Sequence, residues 1–217
     1  MIIGLTGPIC AGKDEVAKIL VSLGFERFSL SDEIRAELRW HVAEMKREYI
    51  QECGDQMRRR EGVGVWARRI MSRIRPGKNY VIDSIRNPGE VEELRQLGGF
   101  FLVKIHAPTK LRFARMIKRA RSEDPTKFED FDRLELKDLG IGQPDYGQQH
   151  AQCFALADKT IVNEGTLERL REETIKLVEE LYALVSLTSV FPTNTFDEPA
   201  STRRTEFRGD FNFPQSS

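Results

Sequence analysis

Five short apolar segments are spaced along the chain, and helical patterns fill most of the intervals between them. Near-continuous apolar character in the first, third and fourth segments is typical of buried parallel strands that helices cover on both faces. The second segment has a more mixed character. The predicted strands are residues 1–6, 25–30, 80–85, 100–106 and 159–162.

The interval after the second strand shows one clear helical face. A helix is predicted to begin near Ser31, because Ile34, Leu38, Val42 and Met45 follow at spacings of four, four and three. On this pattern, one continuous helix carries all four apolar side chains to the core.

The other intervals carry helical patterns with recognisable ends. Thr109 and Thr166 stand where a hydroxyl can cap a helix, and Gly98 and Gly99 follow a predicted helix end. Strands that alternate with helices in this rhythm predict a parallel three-layer α/β domain. The remaining predicted helices are residues 14–23, 65–74, 88–97, 110–121 and 167–184.

The chain changes character near residue 185. Residues 1–185 contain all of the predicted strands and helices and form the predicted domain. Residues 186–217 are rich in Ser, Thr, Pro, Asn and Phe without sustained periodicity, which favours a disordered tail. Their several Phe residues keep open a second interpretation, in which this segment docks on a protein partner.

Composition limits the classes of function. The 34 Lys and Arg residues balance 34 Asp and Glu residues, so bulk charge does not favour a nucleic-acid-binding protein. Cys10, Cys53 and Cys153 are too scattered for a metal site or a disulfide framework, so we expect reduced thiols. No apolar run approaches the ~20 residues of a membrane span, and the first residues do not resemble a signal peptide. We therefore expect a cytoplasmic protein without a membrane partner.

The strongest chemical signal is a glycine-rich loop between the first strand and the first helix. It contains the Gly-x-x-x-x-Gly-Lys pattern of a phosphate-binding loop, and the helix N-terminus behind it adds about half a positive charge. Glycine backbones let successive N–H groups point inward, and the lysine can follow the γ-phosphate of ATP during its transfer. Cys10 of this loop lies beside groups that lower a thiol pKa. The simpler explanation for a cysteine at this position is that its side chain is small enough for the turn. The loop residues are Gly7, Pro8, Ile9, Cys10, Ala11, Gly12 and Lys13.

Two carboxylates are candidate Mg²⁺ ligands. Asp14 stands where the pattern usually has Ser or Thr for the metal, and a carboxylate is a hard oxygen ligand that can hold Mg²⁺. The opposite interpretation is that Asp14 repels the phosphates and weakens binding. Asp83 ends the third predicted strand, where an acid can reach Mg²⁺ or its waters.

Three side chains near strand ends are candidates for binding a phosphoryl acceptor. Arg86 follows the third strand and can clamp a phosphate with two hydrogen bonds, unless it belongs to a surface salt bridge. Asp32 opens the second helix, where it either accepts a proton from an acceptor hydroxyl or serves as an ordinary N-terminal helix acid. Arg35 lies one turn further along and can hold an anion.

A basic helix is predicted to belong to a lid. Arg112, Arg115 and Arg119 share one face of the helix at residues 110–121, without an acidic partner on that face. A solvated charged face is the usual explanation of such a run, but these arginines also fit a role in gathering around a triphosphate. Glycine-rich sequence further on suits a mobile cover, so residues 109–150 form the predicted lid.

Together these residues resemble the nucleotide-kinase branch of the P-loop proteins. Residues 3–13 and 157–167 are similar to dephospho-coenzyme A kinases, and that likeness implies that Asn163 and Gly165 lie near the adenine of ATP. The Gly-Lys-Asp of the loop and the Asp-x-x-Arg-Asn-Pro segment are similar to phage-type deoxynucleoside monophosphate kinases. The resemblance implies a P-loop fold with a five-stranded parallel sheet and a helical lid. It also implies that Arg35 and Arg86 bind the acceptor's phosphate.

The resemblance implies phosphoryl transfer that depends on ATP and Mg²⁺, with a small nucleotide-like acceptor. A (deoxy)nucleoside monophosphate is the expected acceptor, and Lys13, Arg86, Arg115 and Arg119 are the expected catalytic cations. One alternative is dephospho-coenzyme A kinase activity, for which Asp32 is the candidate base. A second alternative is a nucleotide-binding regulatory module with little turnover, which agrees with the unusual acid after the lysine and with a docking tail.

Overall fold

Five strands form one sheet at the centre of the fold. They are β1 (Ile2–Thr6), β2 (Glu26–Ser29), β3 (Tyr80–Asp83), β4 (Phe100–His106) and β5 (Lys159–Val162). The computed structural model describes residues 1–39, 42, 45–121 and 124–188. In this part of the chain the strand order is β2-β3-β1-β4-β5, and every neighbouring pair is parallel. All five predicted strands are confirmed.

Helices cover both faces of this sheet, which confirms the predicted three-layer α/β architecture. The described helices are α1 (Lys13–Ser22), α2 (Leu30–Leu38), α3 (Arg47–Glu61), α4 (Val65–Met71), α5 (Pro88–Arg95), α6 (Thr109–Arg119), α7 (Phe128–Leu139), α8 (His150–Ala155) and α9 (Leu167–Thr188). One buried apolar cluster lies between the sheet and helices α1 and α9, and the other between the sheet and helices α2 to α5. Side chains of β1 alternate between them: Ile3 and Leu5 enter the first cluster, and Ile2 enters the second.

The helix predicted from Ser31 through Met45 is wrong in its extent. α2 ends at Leu38. Val42 lies outside a helix but still packs against the second cluster, whereas Met45 is exposed. The apolar spacing continues past the helix end because Val42 reaches the same core as α2 without helical backbone.

α3 is a helix that the apolar pattern did not reveal. It is mostly polar, and its buried positions include Gly54 and Arg58. Gly54 permits a close crossing with α2, because a Cβ at this position would lie 3.2 Å from Ile34 Cδ1. The Trp66 indole of α4 donates a hydrogen bond to the Gly54 carbonyl oxygen at 3.3 Å, which ties α3 to the next helix.

α5 begins with a capping box that also fixes the preceding loop. The Asn87 side chain accepts a hydrogen bond from Gly89 N at 3.0 Å, and Glu90 Oε2 accepts one from Asn87 N at 3.1 Å. Asn87 and Glu90 are fully buried. Because Glu90 Oε2 also accepts from Arg86 N at 2.8 Å, the cap holds the loop between β3 and α5.

α6 and α7 pack through an aromatic cluster of their own. Phe131 is fully buried, and its ring centroid lies 5.4 Å from that of Phe113 and 6.2 Å from that of Phe128. The Arg112 guanidinium lies 5.6 Å from the Phe131 ring centroid and forms a 2.5 Å ion pair with Glu135. The acidic partner of Arg112 therefore comes from α7, whereas the face of α6 that carries the arginines has no acid.

The two predicted threonine caps have different outcomes. Thr109 is the first residue of α6, and its hydroxyl accepts a hydrogen bond from Arg112 at 2.9 Å. It does not cap the helix, because the N-cap position belongs to Pro108. The hydroxyl of Thr166 accepts from Arg169 N at 3.3 Å at the start of α9, which confirms the second cap.

α9 continues to Thr188, past the boundary predicted at residue 185. Residues 189–217, which make up most of the predicted tail or docking segment, lie outside the described residues. Within the described part, no helix combines the length and the apolar character needed to cross a membrane.

Phe131→Ala is expected to lower the free energy of unfolding by about 3–5 kcal/mol, because it leaves a cavity where a fully buried ring joins α7 to α6. Phe128→Ala on the same helix is the control. This ring is 39% exposed, so its loss should cost about 1 kcal/mol. Urea denaturation followed by circular dichroism gives both values. Equal losses in the two variants would contradict the assignment of Phe131 as the anchor of α7.

Candidate active site

The glycine-rich loop lies at the carboxyl end of β1 and leads directly into α1. Gly7 has φ 148°, and a Cβ there would lie 2.3 Å from the Ile105 carbonyl oxygen of β4. Gly12 has φ 104°, and Cys10 between them has φ 58°. α1 begins at Lys13, so the N–H groups of its first turn face the loop. This backbone forms an anion-binding nest that is closed by a helix N-terminus.

Lys13 turns back onto its own loop. Its Nζ donates hydrogen bonds to the carbonyl oxygens of Gly7 at 2.6 Å and Pro8 at 2.9 Å. Burial, followed by the positive charge of Arg86, lowers the pKa of Lys13 to about 8. The ammonium group is therefore held at the loop in a poorly hydrated position, where an anionic phosphate is a favourable partner.

Asn163 and Arg115 support the loop from its outer side. The Asn163 side-chain amide donates to the Ala11 carbonyl oxygen at 2.8 Å, and a Cβ on Gly12 would lie only 2.2 Å from the same nitrogen. Arg115 donates to the backbone carbonyl of Asn163 at 3.0 Å and to its side-chain oxygen at 3.2 Å. Asn163 is buried, while Gly165 is exposed. These contacts give Asn163 and Arg115 a role in shaping the loop.

Arg27 joins the two predicted metal ligands. Its Nη2 donates to Asp14 Oδ1 at 2.6 Å, and its Nε donates to Asp83 Oδ2 at 2.6 Å. β2 brings it there because Ser29 is in register with Asp83, and Arg27 lies two residues earlier on the same strand face. Partial burial tends to raise the pKa of Asp14, but the hydrogen bond and charge of Arg27 outweigh this effect and lower it. The two carboxylates converge on one cationic group beside the phosphate loop.

A buried ion pair supports the loop that carries Arg86. Arg58 Nε lies 3.0 Å from Glu90 Oε1, and Arg58 Nη1 lies 2.9 Å from Asp55 Oδ1. The other Glu90 oxygen accepts from Arg86 N, so one carboxylate joins α3 to the Arg86 loop. The Arg86 guanidinium donates to the Gln148 side chain at 3.2 Å. Arg86 is therefore held at the carboxyl end of β3 by several parts of the chain.

Residues 140–149, termed here the closing segment, lie over the Arg86 loop. Asn87 Nδ2 donates to the carbonyl oxygens of Asp145 at 2.7 Å and Gly147 at 2.9 Å. Gln149 N donates to the Arg86 carbonyl oxygen at 2.8 Å. A cleft with a cavity volume of only about 20 Å³ lies between α2, α3 and the closing segment. Its polar lining comprises Ser31, Gln51, Arg58, Arg86 and Gln148.

Positive charge is concentrated around this cleft. His150 is buried, and burial holds its pKa well below the usual value, with further lowering by Arg86, Lys13, Arg47 and Arg58. The imidazole is therefore neutral at physiological pH. Four cations lie close enough to act on this one side chain, and they come from the phosphate loop, α3 and the loop after β3.

Asp138 of α7 brings a negative charge into the same group. It is buried and accepts hydrogen bonds from Arg47 Nη2 at 2.9 Å and Gln51 Nε2 at 3.3 Å. Burial lowers the pKa values of Arg86 and Lys13, and the charge of Asp138 opposes this effect at both residues. The arrangement suits recognition of an anion next to the phosphate loop.

Three predicted site residues do not join this group. Asp32 and Arg35 pair with each other at 3.0 Å, and the Asp32 side chain is 71% exposed. Arg119 makes a double contact at 2.9 and 2.7 Å with Asp124, an acid that lies beyond the end of α6. Its charge acts on Cys10, but burial has the larger effect and raises the thiol pKa, contrary to the expected lowering.

Several polar residues of the site were not predicted from the sequence: Arg27, Arg47, Gln51, Arg58, Asp138, Gln148 and His150. The mixed pattern of β2, with a basic residue two positions before its last residue, is the signal for Arg27. Arg47 and Gln51 belong to α3, whose polar sequence did not predict a helix. Asp138 lies in a helix with many acids, and its neighbours give no sign that this one is buried.

Sequence comparison finds relatives along most of the chain. A family model described as an AAA domain matches residues 3–137, which include the phosphate loop and β1 to β4. A UPF0200 protein of Pyrobaculum aerophilum is 34% identical over 180 residues, covering 82% of this chain and 95% of the relative. A UPF0200 protein of Pyrococcus abyssi is 31% identical over 188 residues, covering 83% and 97%. The similarity spans nearly all of these two relatives.

Solved structures share the fold at low sequence identity. Shikimate kinase from Acinetobacter baumannii, in complex with shikimate, gives a TM-score of 0.50 at 22% identity over 82% of this chain and 93% of that chain. Shikimate kinase from Aquifex aeolicus gives 0.50 at 18% identity over 85% and 99%. These likenesses confirm the predicted P-loop kinase fold.

Asp55, at the edge of the site, is expected to make stability depend on pH. Burial raises its pKa from 3.8 to about 6, although the charge of Arg58 opposes the shift. Because the folded state holds this proton more tightly than the unfolded state, stability falls as the pH rises through about 6. Between pH 5 and pH 7 the protein should lose about 1.4 kcal/mol relative to Asp55→Asn.

Denaturant unfolding of both proteins at pH 5 and pH 7 measures this difference. Asp132→Asn is the matched control, because Asp132 is an exposed acid and its loss should leave the pH dependence unchanged. Identical pH dependence in the wild-type and Asp55→Asn proteins would contradict the raised pKa.

Proposed function

The chain belongs to the UPF0200 family and has the P-loop kinase fold, and from this premise we propose that it transfers the γ-phosphoryl group of ATP to a small nucleotide-like acceptor. The observation that carries the proposal is that two anion-binding regions adjoin. One is the phosphate loop with Lys13, and the other is the cleft with Arg58 and Arg86. The charge of Arg86 acts on Lys13, so the two regions are neighbours. Phosphoryl transfer requires a donor phosphate and an acceptor side by side among cations.

On the donor side, the loop N–H groups and Lys13 bind the β- and γ-phosphates of ATP. Arg115 supports this site through Asn163, and Gly165 borders the adenine. Arg119 reaches the transferred phosphoryl group only after it releases Asp124, to which it holds by two hydrogen bonds. Arg119 therefore acts after a movement of the lid, residues 109–150.

Asp14 and Asp83 fit a magnesium ion. Each carboxylate accepts a hydrogen bond of 2.6 Å from Arg27, so their oxygens already converge on one point. One or two carboxylates together with substrate phosphates are the usual ligands of Mg²⁺ in such sites. When bound, the ion neutralises charge on the phosphates. Arg27 balances the two carboxylates within the protein itself.

A nucleoside monophosphate is the acceptor that best matches the cleft. Arg86 provides positive charge for its phosphate, and the neutral imidazole of His150 lies within reach of that charge. The cavity volume at the cleft is only about 20 Å³, far below the ~300 Å³ at which ligand pockets usually begin, so the closing segment moves to admit the acceptor. Dephospho-coenzyme A kinase activity gains no support, since its candidate base Asp32 is exposed and paired with Arg35.

An ATP-consumption assay with Mg²⁺ tests this proposal against each nucleoside monophosphate and dephospho-coenzyme A, with a no-acceptor control. Lys13→Ala should reduce acceptor-dependent turnover by about 10²–10³-fold, because it removes the cation at the transferred phosphate. Lys18→Ala is the matched control, since Lys18 lies on the same helix and is 64% exposed. ATP binding without turnover for any acceptor would contradict the proposal and favour a regulatory nucleotide-binding module.

Arg27→Gln is expected to increase Mg²⁺ affinity by about tenfold, because it removes a full positive charge from between two carboxylates. Calorimetric titration of Mg²⁺ in the absence of nucleotide measures this change. Arg133→Gln is the control, since Arg133 is 77% exposed and pairs only with Asp130 among the ion pairs of the described residues. Unchanged Mg²⁺ affinity in Arg27→Gln would show that Asp14 and Asp83 do not form the metal site.

A further inference from the structure

The two oxygens of Asp138 accept hydrogen bonds from two donors, while a third donor, on the Arg47 guanidinium, has no partner in the described part of the chain. Oδ2 accepts from Arg47 Nη2 at 2.9 Å, and Oδ1 accepts from Gln51 Nε2 at 3.3 Å. The third donor is Arg47 Nε, which is buried and is the one side-chain polar atom without a partner among the buried atoms of the described residues. Nε and Nη2 share an edge of the guanidinium, and this edge is able to bind two oxygens of one anion. Arg47 therefore uses the Nη2 group of this edge to bind Asp138, and the Nε group of the same edge has no partner among the described residues.

Asp138 is also placed where an acceptor's charge belongs. Its carboxylate is 5% exposed, and Gln51, its partner, lines the cleft together with Arg86. The negative charge of Asp138 acts on both Arg86 and Lys13. A carboxylate in this position compensates cations that would otherwise be buried without an anion, which is costly.

We propose that Arg47, Gln51 and Arg86 form the subsite for the acceptor's phosphate, and that Asp138 fills this subsite until the acceptor binds. A phosphate monoester presents three terminal oxygens where a carboxylate presents two. It therefore satisfies Arg47 Nε as well as the two donors that Asp138 now occupies. The inference rests on the proposed function for the identity of the acceptor. It adds which side chains hold the acceptor's phosphate and that an internal carboxylate competes with it.

Displacement of Asp138 is coupled to opening of the cleft. Asp138 lies in the last turn of α7, two residues before Gly140, which ends the helix with φ 98° and begins the closing segment. When the acceptor's phosphate replaces the carboxylate, Arg47 no longer holds the end of α7. The exchange keeps the cations neutralised throughout, because one anion leaves as another arrives. The movement that the small cleft requires is thereby linked to the arrival of the correct chemical group.

Calorimetric titration of inorganic phosphate and AMP into full-length protein tests the proposal. All variants carry Lys13→Ala, which removes the main charge of the phosphate loop, so that binding reports the second subsite. Asp138→Asn keeps the shape of the side chain but removes its charge, and it should tighten the binding of both probes at least about tenfold. Adding Arg47→Gln should abolish that gain. Asp132→Asn, an exposed acid on the same helix, should leave binding unchanged.

Several results would overturn the inference. Unchanged phosphate affinity in Asp138→Asn would show that the carboxylate does not compete, and a gain that survives Arg47→Gln would place the phosphate elsewhere. In the chain with Lys13 intact, a large loss of turnover in Asp138→Asn at unchanged acceptor affinity would identify Asp138 as a catalytic base instead. If the predicted binding changes appear but no acceptor supports turnover, the subsite is supported while the proposed kinase function fails.

A second variant covers the case in which Asp138→Asn does not fold, as judged by circular dichroism. Gln51→Leu leaves the Arg47–Asp138 ion pair in place and removes one of the three donors. Inorganic phosphate should then bind several-fold more weakly than to the Lys13→Ala parent. Equal affinity in the two proteins would exclude Gln51 from the subsite and overturn the proposal as stated.

Discussion

Positive charge gathered at the carboxyl end of the sheet is the constraint on which the rest of the site depends. Lys13, Arg47, Arg58 and Arg86 all act on the buried His150; Arg58 is itself buried, and the other three are half-buried. Removing the anion from a buried pair costs about 3–5 kcal/mol, because the remaining charge is left without compensation. A fold that gathers these cations must therefore also bring anions to them, from wherever the chain provides them.

The compensating carboxylates come from parts of the chain that are distant in sequence. Each of them also connects the helix that carries it to a neighbouring element. Glu90 neutralises Arg58 while it caps α5 and accepts from Arg86 N. Asp138 neutralises Arg47 and brings the end of α7 to α3. The Arg47–Asp138 pair thus also attaches the predicted lid, residues 109–150, to the domain. This explains why α3 is a mostly polar helix and yet lies against the core: its charged side chains are the partners of α5 and α7.

The parts of this architecture that were predictable are those encoded locally. Near-continuous apolar runs identified the strands, and the glycine pattern identified the loop, because Gly7 and Gly12 adopt backbone angles that few other residues tolerate. The extent of α2 and the existence of α3 were not predictable in this way. Val42 continues the apolar spacing of α2 although it lies outside the helix. α3 is stabilised by contacts with other elements, such as the Gly54 crossing and the Arg58–Glu90 pair. Burial of one acid among many, as at Asp138, depends on partners that meet it only in the folded chain.

The charged groups that this reaction would use are each held by an internal partner. Lys13 donates to loop carbonyl oxygens, Arg27 lies between two carboxylates, and Arg47 holds Asp138. A ligand that binds here exchanges one partner for another, so its net affinity is a difference between two strong interactions. The affinity for the ligand is therefore lower, but the selectivity between ligands is higher. A ligand that lacks the right charge at one position cannot displace the internal partner there. In the proposed exchange, the predicted lid responds to the chemistry of the ligand, since Asp138 is one of the residues 109–150.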